Sequence, residues 1–143
     1  MPRTLKMPER ENANETELEW VNYYEIRKEK GEFVFPFTTA TYRDDAGKDG
    51  QAECITLINS NTNQAVTVWI TPNPNSLYPV DPDKTDGMRL FRAIGRAVGT
   101  SGEEVDANDL MARVSDVDLA TLIVRMVDLD GGKTAWRWTV TVA

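Results

Sequence analysis

Residues 72–83 read PNPNSLYPVDPD, and a segment with four prolines in twelve residues cannot continue a β-sheet. It splits the chain into a strand-rich front and a back part that opens on a helix. In the front, EFVFPFTTATYR (32–43) is dense in aromatic and β-branched residues, and the turn formers DDAGKDG follow it. It reads as one strand, in which Pro36 marks an edge or a bulge. QAECITLI (51–58) and QAVTVWIT (64–71) are the second and third strands, with NSNTN turning between them. Short polar loops predict an antiparallel meander.

In the back part the spacing predicts a helix from Thr85 to Val98, stopped by Gly99. Leu90, Phe91, Ile94, Ala97 and Val98 form one apolar stripe, and Arg89, Arg92 and Arg96 lie opposite it. ANDLMARVS adds a short helical turn. LATLIVRMVDL (119–129) reads as a strand, Asp130-Gly131-Gly132 as a turn and KTAWRWTVTV (133–142) as the last strand. There Trp136, Trp138, Val140 and Val142 alternate with Arg137, Thr139 and Thr141, so the tryptophans are assigned to the core.

At 143 residues the chain has the length of one domain. Residues 1–14 are expected to be a flexible arm and 15–143 a single domain. Between Glu15 and Lys30 two readings stand. One is a helix capped by Thr16 and stopped by Gly31, with Leu18, Val21 and Tyr24 on one face and Trp20 and Tyr23 beside it. The other is a strand beginning near Trp20. No apolar run approaches the roughly 18 residues of a membrane span, and the amino terminus has no signal-peptide pattern, so a cytoplasmic location without membrane contact is expected.

The chain has no histidine and a single cysteine, which removes Ser-His and Cys-His nucleophile pairs and His/Cys zinc sites. Cys54, within AECITLI, reads as a small buried hydrophobe. The loop Asp81–Gly87 fails as a helix-loop-helix calcium site: its glycine comes one place late, and Arg92 stands where a bidentate Glu is needed. No cofactor and no catalysis are expected. Net charge is −7, but unevenly spread: residues 1–83 hold eight basic and fourteen acidic side chains, and residues 84–143 hold eight and nine. The acidic excess belongs to the front, which leaves room for a basic face further on.

LFRAIGRAVG, followed by DLMARV and a terminal hairpin, resembles the phage-encoded single-stranded DNA-binding proteins of the oligonucleotide-binding fold. The resemblance covers about residues 32–142 and rests on Gly99, Asp109-Leu110, Ala112 and Arg113; glycine is commoner at the place of Ala112. The expected fold is therefore mainly β with one or two helices. It is a five-stranded antiparallel barrel of order β-β-β-α-β-β, with an N-terminal helix or arm; a short barrel-like sandwich with a packed helix reads much the same. The resemblance implies single-stranded DNA as partner, a role in phage DNA replication or recombination, and contacts with replication proteins. Family members often recruit these through an acidic tail. Here the chain ends at Ala143, so recruitment is expected of another surface, such as the acidic amino-terminal arm. An open strand edge further predicts a homo-oligomer.

Single strands are held by stacked aromatics and by cations along the phosphates. Trp69 falls on the Thr67–Thr71 face of its strand, opposite Val66, Val68 and Ile70, and is either a stacking platform or covered by another element. Tyr42 and Phe37 are the further platform candidates, with their facing left open by Pro36. Arg137, Lys133 and Arg125 are the candidate phosphate contacts. The arginine stripe of the helix reads as a solvated face or as a phosphate contact. Two other classes stay open: an acidic protein that binds or inhibits a protein partner through Trp20, Tyr23 and Tyr24, and a virion component whose arm swaps onto neighbours.

Overall fold

A computed structural model describes residues 17–44, 52–77, 80–99 and 104–143. The expected arm, the Thr16 cap and most of the DDAGKDG turn lie outside the described residues. The rest is mainly β, with three helices and seven strands in two sheets among the described residues. In chain order these are β1 (Glu19–Trp20), α1 (Tyr23–Lys30), β2 (Glu32–Phe37), β3 (Thr39–Asp44), β4 (Glu53–Asn59) and β5 (Gln64–Trp69). They continue with α2 (Asp86–Ala97), α3 (Ala107–Ser115), β6 (Ala120–Asp128) and β7 (Thr134–Val142).

The segment expected to be one strand is two. β2 pairs antiparallel with β6, whereas β3, one residue later, pairs antiparallel with β4 in the other sheet. The break is at Thr38. Its amide donates to the Ile58 carbonyl at 2.8 Å, its hydroxyl reaches that carbonyl at 3.2 Å, and the Ser60 amide donates back to the hydroxyl at 3.0 Å. These bonds fix a corner where the chain changes sheet. Pro36 is tolerated because β2 is an edge strand of its sheet.

The first sheet runs β1-β5-β4-β3 and the second β2-β6-β7. The meander is present as β3–β4–β5, and β6–β7 is the expected hairpin. The closed five-stranded barrel is not: β5 and β7 are not paired, and β1 runs parallel to β5 for two residues only. The inward faces follow the alternation in the sequence, with Phe33, Phe35 and Phe37 of β2 against Leu122 and Val124 of β6 and Trp138 and Val140 of β7. Ile55, Leu57, Val66 and Val68 supply the other sheet, and Leu90, Ile94, Leu110 and Val114 supply the helices. Each large side chain so buried stabilises the fold by about 1.5–3 kcal/mol.

The helices are placed by their caps. The Thr85 hydroxyl accepts from the Met88 amide at 3.1 Å to open α2, and Gly99 beyond its end takes φ +80°. Ser115, closing α3, accepts from the Ala40 amide at 2.9 Å and ties that helix to β3. The amino-terminal segment divides: Glu19 and Trp20 form the short strand, Asn22 caps α1 by accepting from Glu25, and Gly31 ends it at φ +75°. The face that α1 buries is thus not Leu18, Val21 and Tyr24. Leu18 and Val21 precede the helix, and Tyr23, Ile26 and Arg27 turn inward while Tyr24 is half exposed.

Two contacts position α1 and α2 over the strands. Tyr23 donates its hydroxyl to Asp86 Oδ2 at 2.8 Å, linking α1 to the first turn of α2. Gly87 lies against the end of β5, where a Cβ would come within 2.4 Å of the Trp69 carbonyl oxygen and 2.5 Å of the Ile70 nitrogen. Both obstacles are backbone. Gly87→Ala should therefore push α2 off β5 and destabilise the fold by about 1–3 kcal/mol, read as a lower midpoint in urea denaturation; an unchanged midpoint would show that the contact is slack. Tyr23 yields a pH dependence. Burial first, and then the neighbouring Asp86 carboxylate, raise its phenol above the usual value near 10. The folded state holds the proton that the unfolded chain releases, so this contribution is complete below about pH 10 and declines as pH rises further. In denaturant titrations between pH 9 and 11.5, wild type should lose stability faster than Tyr23→Phe, by up to about 1.4 kcal/mol per pH unit. Parallel curves would count against the buried phenol.

Candidate nucleic-acid interface

The unpaired seam between β5 and β7 is an open cleft of about 710 Å³. Thr67, Trp69 and Thr71 form one wall, and Thr134, Ala135 and Trp136 the other. Alternation aims Trp69 here: Val66 and Val68 fill the core, so Thr67 and Trp69 face outward, each only partly exposed. Tyr23, Tyr24 and Arg27 of α1 reach into the cleft from one side. Lys84 of a 3-10 turn (Pro82–Lys84) and Asp86 and Arg89 of α2 reach in from the other.

Arg27 is the unusual residue of this cleft. It is 5% exposed and its guanidinium carbon packs on three aromatic rings, 4.7 Å from the centroid of Tyr24, 4.8 Å from Trp136 and 5.4 Å from Tyr23. Such cation–π contacts contribute roughly 0.5–2 kcal/mol each, the more when water is excluded. Its carboxylate partner is Asp86, with Nη1 3.3 Å from Oδ2. That is ion-pair range, yet neither Nη1 nor Nε has a hydrogen-bond acceptor among the described residues. A buried donor left unpaired costs about 1–3 kcal/mol.

Next to the cleft, and sharing Arg89, Ala135 and Trp136 with it, lies a groove of about 320 Å³ between α2 and the β6–β7 hairpin. Arg89, Arg92, Arg96 and Arg137 line it together with Val127, Leu129 and the two tryptophans of β7. None of its lining residues is acidic, and none of the four arginines forms an ion pair among the described residues. Arg96 donates to the Trp138 carbonyl at 3.4 Å, and Arg89 to the Lys84 carbonyl at 3.3 Å. Arg92 and Arg137 are exposed.

The residues singled out from the sequence fall in different places. Trp69 lines the cleft, and Arg137 the groove. Phe37 is no platform: it is 1% exposed, because the alternation of β2 points Phe33, Phe35 and Phe37 into the core. Tyr42, on β3, is partly buried, donates its hydroxyl to Glu53 and lines neither cavity. Arg125 stands opposite Arg137 across the hairpin and is paired with Glu32 at 3.1 Å. Lys133 is exposed beside the hairpin turn and lines neither cavity. Trp138 fills the core as expected, whereas Trp136 is only half-buried and lines both cavities. The arginine stripe of α2, read alone as a solvated face, gains meaning from β7, which lies some forty residues on. Arg27 was missed, since nothing local in YYEIRKEK distinguishes the inward arginine from its neighbours, and Tyr24 was singled out only as a contact for a protein partner.

Compared with protein-family models, curated proteins and solved structures, the chain matches none of them.

Proposed function

We propose that this chain is a non-catalytic binding module for single-stranded nucleic acid, which it holds along the arginine groove and the adjoining cleft. The observation that carries this reading is local charge. A protein of net charge −7 gathers four arginines in a groove with no acidic residue in its lining among the described residues, beside the half-buried ring of Trp136. The cations suit a phosphate backbone, and rings such as Trp69 and Trp136 offer stacking worth about 1–3 kcal/mol per base.

The strand path supports the same reading. The run β2–β3 joins the meander β3–β4–β5 to the hairpin β6–β7, and α2 enters between β5 and β6. That order fits an oligonucleotide-binding barrel left open at one seam, a fold whose barrel is partly open in general. The resemblance noted above favours DNA and a phage replication or recombination setting. The groove proposed here lies beside α2 and β7, not on the outer face of the meander where Tyr42 was expected to serve. The acidic front half favours a second reading, docking on a basic protein, with the 60% exposed Trp20 as its contact.

Titration of tryptophan fluorescence with a thymidine oligonucleotide of about 30 residues tests the proposal. Binding should weaken from about 50 to 200 mM salt, and the double variant Arg92→Ala/Arg137→Ala should flatten the log–log salt slope by about 1.4, at roughly 0.7 per lost contact. Both side chains are exposed and outside the core, so the variant should keep its fold. Absence of binding at low salt by the folded protein would overturn the reading in favour of a protein partner.

A further inference from the structure

The seam cleft differs from the groove beside it in what it can hold. Arg27, Lys84 and Arg89 face a single carboxylate, Asp86, which already serves Arg27 and Tyr23. The excess is two positive charges on a cleft that also presents the rings of Tyr24, Trp69 and Trp136. A divalent cation is disfavoured, since one carboxylate is too few ligands and no metal-binding cluster occurs among the described residues. An apolar ligand would leave three cations beside it. At about 710 Å³ the cleft lies within the range of small-molecule sites.

The second observation is Arg27 itself, more than nine-tenths buried at the cleft: its Nε makes no hydrogen bond among the described residues, and its Nη1 has only the ion-pair contact with Asp86 at 3.3 Å. Arginine's planar fork matches phosphate oxygens, and a phosphomonoester brings close to two negative charges where an internal phosphodiester brings one. The half-exposed ring of Tyr24 packs on the guanidinium, so an anion reaching Arg27 would have to pass that ring. Trp69 and Trp136 offer a base its stacking surface on either wall.

We infer that the seam cleft is a site for a nucleotide phosphomonoester, with Arg27 and Lys84 taking the phosphate, so that the module prefers a strand with a phosphorylated end. The inference rests on the single-strand reading given above. The shared chemistry is a nucleotide carrying a terminal phosphate, free or at a strand end.

The test compares thymidine oligonucleotides of about ten residues bearing a 5′-phosphate, a 3′-phosphate or hydroxyls only, together with thymidine monophosphate alone. One phosphorylated end should bind about tenfold tighter than the hydroxyl strand. Arg27→Lys, checked for folding by circular dichroism, and the exposed Lys84→Gln should each shrink that ratio towards one, whereas Arg92→Ala in the groove should weaken all three strands alike and leave the ratio unchanged. Thymidine monophosphate binding with the same dependence on Arg27 and Lys84, but without the strand preference, would support the site and assign it to the free nucleotide. Equal affinity for all three strands with no monophosphate binding would overturn the inference and leave the single-strand reading intact. Failure of every ligand to bind would overturn both.

Discussion

Among the described residues, β5 has β4 on one side and, on the other, only the two residues of β1; β7 has β6 on one side alone. Unpaired backbone along a strand invites pairing with other chains unless something covers it. Here the cover is made of side chains and helices rather than a sixth strand pairing. Arg96 supplies a donor to the Trp138 carbonyl on β7, α2 packs along that strand, and Gly87 lets the start of α2 touch the end of β5. α1 reaches the cleft between the strands from the side and is tied to α2 through Asp86. The cleft is what remains of the seam after this covering, and so its walls combine strand, helix and turn residues far apart in the chain.

The same arrangement reconciles an acidic protein with a cationic surface. Long-range steering depends on the summed charge, but a concave site responds to the charges that line it, within a screening length of about 8–10 Å. Residues 1–83 hold most of the acidic excess, whereas three of the four groove arginines come from α2 and the fourth from β7. None of the front-half residues that line the cleft is acidic; they include Tyr23, Tyr24, Trp69 and Arg27. The linings of the cleft and the groove thus hold a single carboxylate between them, Asp86. The row Glu32–Arg125–Arg137 across β2, β6 and β7 shows the same sorting at residue scale. Glu32 neutralises Arg125, which relieves the repulsion between two arginines directly opposite each other and leaves Arg137 without a carboxylate partner among the described residues.

Much of the fold was legible because local signals agreed with one another. Thr85 and Gly99 bracket α2, the alternation of β5 and β7 sets their faces, and the polar run at 59–63 closes the β4–β5 hairpin. What failed were features decided by distant contacts. The corner at Thr38 depends on Ile58 and Ser60, twenty residues and more away, and without it residues 32–43 read as a single strand. The facing of Phe37 and Tyr42 was therefore left open; Phe37 proves to lie in the core, and Tyr42 lies outside both cavities. Trp69 was legible as outward, but its neighbours in the cleft were not, since α1, α2 and β7 meet there only in three dimensions. The helix arginines and Arg137 were each visible in the sequence; their convergence was not.

The weakest tertiary attachment of the helices sits at the candidate site. α2 and α3 place Leu90, Ile94, Leu110 and Val114 in the core, each no more than 1% exposed. α1 spans eight residues, and its single fully buried residue is Arg27. Its hold on the body comes from a hydrogen bond, an ion pair and cation–π packing, together with the partly buried Tyr23 and Ile26. Polar contacts of this kind contribute less per residue than core burial, and part of the gain is offset by the donors Arg27 leaves unpaired. Elements with few buried apolar contacts open at lower free energy than the body that carries them. A ligand that supplied acceptors to Arg27 would remove the offset and, by binding the closed arrangement, draw α1 onto the seam. The residue whose unpaired donors offset part of the hold on α1 is thus the one through which a bound anion would tighten it.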